Sequence, residues 1–274
     1  MVYNKFELEV NTMEITILGS GSKGNATYIK TKDTAFLIDA GLSYKQINER
    51  LRAREGSLLP LDAVFLTHEH SDHTKGLHQL IKQTNTSLWA VKDTYKAALS
   101  KKKTLPEVHT HQVFETHLPF EFKGVLFTPI RTSHDAAHAV GFVIEEDGKK
   151  LAYITDTGYL DERDFPKISN AHMYIFESNY DISMLYTSQR PHYLKQRIDS
   201  VRGHLSNTDS AYYLSRLVGD ATTQIVLAHL SQDCNTEARA LSTLQEVFDS
   251  YDVSLSRFEV HVAKQHTPTK TLIL

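Results

Sequence analysis

Thr67-His68-Glu69-His70-Ser71-Asp72-His73 is the stretch whose reading decides the fold. It follows Asp62 to Thr67, a short apolar run that reads as a buried strand. Side chains two residues apart in extended chain point the same way, so His68 and His70 can grip one metal ion. A turn into a helix then re-aims Asp72 and His73 toward a second ion. Neutral imidazoles with carboxylates suit Zn²⁺, Mn²⁺ or Fe²⁺. The chain holds 15 His in 274 residues. At that density a His-x-His-x-Asp-His match arises by chance only roughly 0.003 times. A loop of unrelated exposed histidines is therefore a poor explanation.

Upstream, Met13 to Leu18 reads as the first convincing strand. Residues 1–12 before it are polar and irregular, and read either as an N-terminal extension or as a short edge strand through Phe6 to Val10. The turn GSGSKGN, Gly19 to Asn25, leads to strands Ala26 to Thr31 and Ala35 to Asp39, then to a helix from Ser43 to Arg54 with Ser43 as its N-cap. Downstream, the pattern predicts a helix over Thr74 to Gln83, a strand over Leu88 to Val91 and a helix over Lys92 to Lys102. The middle is strand-rich: Glu121 to Ile130, Ala139 to Glu145 and Lys150 to Thr155, the last two joined by a hairpin turn at Glu146 to Gly148. A strand Met173 to Glu177 and helices Pro191 to Arg202 and Asn207 to Val218 follow. Strand Gln224 to Ala228, helix Thr236 to Tyr251 and strands Phe258 to Val262 and Thr271 to Leu274 complete the chain. Early strands alternate with helices and the middle meanders, which implies an α/β arrangement of stacked sheets covered by helices. With no repeat, low-complexity tract or linker, residues 13–274 read as one domain.

A hydrophobic content of 41% and a charged content of 23% exclude a disordered or fibrous chain. The net charge of −3 gives no bulk pull toward nucleic acid, so any such binding must use a local basic patch. Candidates are Lys101 to Lys103, and Arg190, Lys195, Arg197 and Arg202. Tyr180, Tyr186 and Tyr193 nearby could stack on bases or simply fill core. Cys234 is the one cysteine, so no intramolecular disulfide forms and a reducing compartment fits. No apolar run is long enough to span a bilayer, and the N-terminus lacks a signal-peptide pattern. The expectation is a cytoplasmic protein with no membrane association; nothing names a protein partner.

THEHSDH after a strand resembles the metal motif of the metallo-β-lactamase superfamily. The resemblance implies a four-layer αββα sandwich with metals at one edge of the sheets. It also implies further ligands in order at strand ends, and these are present as His134 in TSHDAAH, Asp156 in YITDTG and His229 in IVLAHLS. Carried over residue by residue, His68, His70 and His134 hold one ion, Asp72, His73 and His229 hold the other, and Asp156 bridges them. Asp39 in FLIDAG matches the family's early Asp, which orients the histidine loop. Asp at position 156, where the β-lactamases have Cys, points to the hydrolase and phosphodiesterase branches. GSGSKGNATY, SHDAAHAVGF, ESNYD, GHLSN and LAHLSQDCN together are similar to the YycJ/WalJ group, whose members are read as DNA exonucleases. Tyr180 departs from that group, where His is more often expected.

The resemblance implies a binuclear phosphodiesterase, with DNA as substrate and 5′-to-3′ exonuclease polarity. Two divalent ions, zinc or manganese with iron also compatible, would share a hydroxide that attacks phosphorus in line. Asp72 is then catalytic as a ligand. His204 in GHLSN is read as a catalytic residue, contacting a phosphate or protonating the leaving oxygen, with a helix cap as the structural alternative. Backbone N–H groups of Ser20 to Asn25 form either an anion nest or a plain hairpin turn. Ser22, Asn25, Asn179 and Ser206 are the candidate substrate contacts, and Glu177 and Ser178 share the strand end with Asn179. His138 is a rival ligand to His134. The same ligands would serve a thioester or lactone hydrolase of glyoxalase II type, or an RNA-processing phosphodiesterase. A scaffold that merely kept the fold would not be expected to keep the whole ligand set.

Overall fold

The computed structural model describes residues 12–55, 61–100 and 110–274. Residues 1–11, most of the expected N-terminal extension, lie outside them, as do Lys101 to Lys103 and with them the end of the expected helix Lys92 to Lys102. The chain runs through β1 (Glu14–Gly19), β2 (Ala26–Lys30), β3 (Ala35–Ile38), α1 (Tyr44–Glu55), β4 (Ala63–Phe65), α2 (Ser71–Thr74), α3 (Leu77–Thr84), β5 (Ser87–Val91), α4 (Lys92–Ser100) and β6 (His111–Phe114). It continues through β7 (Phe120–Phe122), β8 (Val125–Arg131), β9 (Val140–Glu146), β10 (Lys149–Ile154), α5 (Phe165–Ile168) and β11 (Met173–Glu177). Then come α6 (Ile182–Thr187), α7 (His192–Ile198), α8 (Asn207–Leu217), β12 (Gln224–Ala228), α9 (Glu237–Ser250), β13 (Glu259–Val262) and β14 (Leu272–Ile273).

Successive strand side chains point to opposite faces, so a strand buried on both faces feeds two cores. Phe36 and Ile38 of β3 join a central cluster, while Ala35 and Leu37 join a cluster with Ile47 and Leu51 of α1 and Leu80 and Ile81 of α3. Likewise Leu151 and Tyr153 of β10 face the centre. Ala152 and Ile154 face Leu214 of α8 and Leu244 of α9. The result is helix, sheet, sheet, helix: the expected αββα sandwich. Phe36, Phe65 and Phe127 meet at the middle of the central core, Phe65 stacking on Phe127 with centroids 4.2 Å apart.

Each sheet has seven strands, in the orders β14-β1-β2-β3-β4-β5-β6 and β13-β12-β11-β10-β9-β8-β7. In each, an antiparallel meander passes into a parallel half, β3 to β6 in one and β10 to β13 in the other. Parallel strands end at the same edge, and open α/β sheets use that edge for ligands.

Three local expectations are corrected. The strand expected over Glu121 to Ile130 is a hairpin, β7 and β8, because Lys123 (φ 48°) and Gly124 (φ 82°) make a two-residue turn. It has the same shape as the Asp147–Gly148 turn between β9 and β10, where φ is 47° and 75°. The helix expected over Thr74 to Gln83 is two short ones, α2 and α3, separated at Lys75 and Gly76. The helix expected over Pro191 to Arg202 ends at Ile198.

Candidate metal centre

Three strands end in a residue with left-handed backbone, and all three residues belong to the site: Asp39 after β3 (φ 61°), Asp156 after β10 (φ 56°) and His229 after β12 (φ 57°). Non-glycine residues pay for that conformation, and such outliers gather at functional sites. Asp39 is wholly buried. Its Oδ1 accepts from Thr67 N at 2.8 Å and its Oδ2 from Thr67 Oγ1 at 2.8 Å. His73 Nδ1 also meets Oδ2, at 2.7 Å. A carboxylate only accepts, so Nδ1 carries the proton and Nε2 is left for an ion. Asp39 is thus placed to orient the histidine loop.

Close backbone packing fixes the rest of that loop. Asn25 N donates to Asp72 O at 2.7 Å, and Gly41 N to Asn25 O at 2.7 Å. A Cβ on Gly41 would lie 1.6 Å from Asp72 O, so only glycine fits. α2 then carries Asp72 and His73, and the centroid of the His73 ring lies 4.0 Å from that of His68.

Potential ligand atoms of His68, His70 and His134 lie within 4.8 Å of one another, as do those of Asp72, His73 and His229, and those of His68, His73 and Asp156. The expected seven residues are therefore brought together, with Asp156 between the two triads. His134 Nδ1 lies 3.0 Å from Gly203 O and His229 Nδ1 lies 2.9 Å from Glu177 Oε1. Oxygen acceptors at Nδ1 leave Nε2 as the nitrogen that bears the lone pair when either ring is neutral. Buried His68 Nε2, His229 Nε2 and Asp156 Oδ2 have no hydrogen-bond partner. Orphan polar atoms of this kind are costly in a protein interior. Nitrogen and carboxylate oxygen converging from several directions, with no thiolate, fit divalent Zn²⁺, Mn²⁺ or Fe²⁺.

The two triads differ electrically. Burial holds the His68 and His134 imidazoles below their usual pKa, hence neutral. At His73 and His229 burial works the same way but loses to carboxylates. Asp39, Asp156 and Asp72 raise His73 well above its usual value. Asp156, Asp72 and Glu177 raise His229 to about 10. Burial opposes the charge on Asp156 too, but His229 and His73 hold it well below the usual carboxylate range.

Glu177 is the residue whose role sequence reasoning missed. It ends the apolar strand MYIFE, fully buried. Oε1 meets His204 Nδ1 at 2.8 Å and His229 Nδ1 at 2.9 Å. Oε2 accepts from Thr157 N at 2.9 Å and Leu205 N at 3.2 Å. An acidic residue closing a wholly apolar strand was the available signal, since such a charge must find partners. His204, one-fifth exposed, thus sits on Glu177 beside Asp156, and lines the cavity at the centre. It is not a helix cap; Ser206 is, its Oγ accepting from Asp209 N at the start of α8.

The candidate substrate contacts divide. Ser22 and Asn179 line the 220 Å³ cavity with His204 and Asp72. Asn179 Nδ2 also donates to His229 O at 2.7 Å. Asn25 and Ser206 are corrected: both are buried and committed to structure. Asn25 Oδ1 accepts from Gly21 N at 2.7 Å, bracing the loop as a turn, and its Nδ2 lies 3.0 Å from His73 Nε2. His138 Nε2 lies 2.6 Å from Thr116 Oγ1, away from both triads. Of the basic residues, Arg190 and Arg197 line the cavity, paired with Asp233 at 2.8 Å and Asp135 at 2.5 Å. Tyr180 is buried and donates to Asp199 at 2.5 Å; Tyr193 is exposed.

Comparison with known proteins agrees with this geometry. The family model described as beta-lactamase superfamily domain matches residues 34–230. Exodeoxyribonuclease YycJ of Bacillus anthracis is 33% identical over 94% of this chain and 98% of its own. Exodeoxyribonuclease WalJ of Streptococcus pneumoniae serotype 2 is 35% identical over 93% of this chain and 95% of its own. Among solved structures, the metallo-beta-lactamase fold protein YhfI from Bacillus subtilis superposes with a TM-score of 0.70 at 18% identity, covering 94% of this chain and 99% of that one. The chain therefore belongs to the metallo-β-lactamase superfamily, in its YycJ/WalJ-type branch, and is a metal-dependent hydrolase.

Proposed function

We propose that the protein is a DNA exonuclease that hydrolyses phosphodiester bonds from a 5′ end with two divalent ions. His68, His70 and His134 hold one, Asp72, His73 and His229 the other, and Asp156 serves both. When bound, such ions acidify water toward neutral pH and neutralise charge on phosphoryl oxygens. The chain's own residues do the rest. Asp39 and Glu177 keep Nδ1 of His73 and His229 protonated and so aim Nε2 inward. Ser22 and Asn179 line the approach.

The observation that carries the reading is His204, held through Nδ1 by Glu177 at the cavity wall. With Nδ1–H donated to Glu177, Nε2 is the nitrogen that would carry the second proton of the imidazolium and give it to a leaving oxygen. A sugar alkoxide needs that proton. A thiolate, whose conjugate thiol has a pKa of about 8.5, leaves without one. A built-in acid therefore favours phosphodiester over thioester hydrolysis. The named activity of the two exodeoxyribonucleases, matched over nearly their whole length, supports the same choice and supplies DNA as the substrate. No helix among the described residues is long and apolar enough to cross a membrane. A buried lone thiol, Cys234, and a DNA substrate suit the cytoplasm.

The test is degradation of 5′-labelled and 3′-labelled DNA duplexes by metal-stripped protein refilled with Mn²⁺ or Zn²⁺. Short 5′-labelled products that vanish in Asp156→Ala are the expected result. No cleavage of either label with any metal, alongside turnover of a thioester panel, would overturn the reading.

A further inference from the structure

A second cleft lies on the other side of His134, with a volume of 320 Å³. Arg131, Arg163, Arg202 and His117 line it with Tyr159, against two carboxylates, Asp161 and Asp164. The carboxylates are already used. Asp161 pairs with Arg163 at 2.5 Å, and Asp164 with Lys167 at 2.9 Å and His117 at 3.2 Å. Arg131 and Arg202 remain, both exposed and neither in an ion pair among the described residues. Their positions are fixed by the catalytic edge. Arg131 ends β8, three residues before His134. Arg202 donates to His134 O at 3.4 Å and precedes Gly203, whose carbonyl meets His134 Nδ1. Burial and the nearby charge of Arg202 both lower the Arg131 pKa, and Asp93 only partly offsets them. Two like charges held together with only partial compensation are a standing cost that a bound anion removes. Tyr159, 45% exposed at the same cleft, offers an aromatic face.

We propose that Arg131, Arg202 and Tyr159 form a subsite for the nucleotide next to the scissile bond, the arginines holding its phosphodiester and Tyr159 stacking on its base. The subsite rests on the nuclease reading above and extends it: the DNA strand passes over His134 from one cleft to the other. Arginine suits this work because its planar fork matches two phosphate oxygens.

The test is binding of a fluorescent phosphorothioate dT₁₀ strand to the metal-loaded protein over a salt series. Wild type is compared with Arg131→Gln, Arg202→Gln, the two combined, and Tyr159→Leu. For a single strand, each phosphate that the protein no longer neutralises lowers the slope of log K against log salt by about 0.7. Losing both together, in Arg131→Gln/Arg202→Gln, should show that drop, and each single variant should bind roughly tenfold more weakly at moderate salt. Tyr159→Leu should weaken binding with the slope unchanged, because stacking releases no counter-ion. Metal content by elemental analysis, equal to wild type, confirms that each variant keeps its centre. If wild type binds and cleaves DNA but the arginine variants keep its slope and affinity, the subsite falls and the nuclease reading stands. If wild type neither binds nor cleaves DNA, both fall.

Discussion

Glu177→Gln tests the wiring of the centre without changing its shape. Oε2 of Glu177 accepts from two backbone N–H groups, of Thr157 and Leu205. Backbone N–H cannot become an acceptor, so the amide oxygen of Gln must face that side. Its NH₂ then faces His204 Nδ1 and His229 Nδ1, which stood 2.8 Å and 2.9 Å from the carboxylate. Two donors now confront each other at each ring. The conflict is relieved only if Nδ1 gives up its proton, and in a neutral imidazole that proton moves to Nε2. At His229 this blocks the nitrogen that serves the ion. If the rings keep their Nδ1 protons instead, two charge-assisted hydrogen bonds are lost, roughly 1.5–3 kcal/mol each. Loss of such an outer carboxylate typically weakens metal binding by roughly 10–100-fold. Equilibrium against buffered free Zn²⁺ or Mn²⁺ should show one ion held as in wild type by His68, His70 and His134. The second, on Asp72, His73 and His229, should be weakened by that factor. At saturating metal, kcat should still fall more than KM rises, because His204 has lost its orienting partner too. Glu177→Asp, which keeps the charge, should recover part of both losses. A Glu177→Gln protein that binds two ions with wild-type affinity and turns over normally would refute the reasoning.

Gly41→Ala should destabilise the protein by at least about 3 kcal/mol, as overpacking against rigid backbone does. The new Cβ would fall 1.6 Å from Asp72 O and 2.7 Å from Asn25 N, so the histidine loop must move; an unchanged melting temperature would contradict the packing described. Asp156→Ala should remove hydrolysis and lower metal stoichiometry while leaving far-UV circular dichroism unchanged, and retained turnover would show that the shared carboxylate is dispensable. The metal-free protein should lose stability as pH rises from about 6.5 toward 10. The sign follows from His229: its folded pKa is raised from 6.5 to about 10, so its contribution is whole below the first value and gone above the second. Loading metal near neutral pH should for the same reason release protons, measurable as a dependence of binding heat on buffer ionisation heat. A flat melting profile across that window, with no proton release, would mean that His229 is already neutral.

The candidate ligands were legible because metal binding demands particular side chains at particular places. His68, His70, Asp72 and His73 show it as local spacing, and His134, Asp156 and His229 as single residues after strand-like runs. Glu177 was legible only as one polar residue at a strand end, since its partners are Thr157, His204, Leu205 and His229, 20 to 52 residues away in the chain. Asn25 and Ser206 went astray for a related reason. A small polar side chain near a site serves a turn, a helix cap or a substrate equally well, and only its neighbours decide. Turn chemistry set the same limit on the fold. Asp147–Gly148 carries a residue type that tolerates left-handed backbone, so the turn was visible. Lys123–Gly124 makes the same turn without that signature, and two strands read as one.

The backbone at Asp39, Asp156 and His229 explains why the centre sits at this edge. A strand continued straight would send these side chains alternately into the central core or under the outer helices, as it does for the residues just before them. Left-handed backbone one or two residues past the last paired one breaks that alternation. The side chain instead joins those delivered by its neighbours. β3 and β10 belong to different sheets, so the two turns bring carboxylates from both halves of the sandwich to one crevice. The cost is of order 1–3 kcal/mol at each site. Asp and His are among the few non-glycine residue types enriched in left-handed backbone. At His229 the conformation is also held by its surroundings: Ser20 Oγ accepts from its N at 2.7 Å, and Asn179 Nδ2 donates to its carbonyl at 2.7 Å. The loop GSGSKGN and the strand-end segment ESN are therefore parts of the metal centre even where they touch no ion. They hold His229, a candidate ligand, in the left-handed backbone that its position requires.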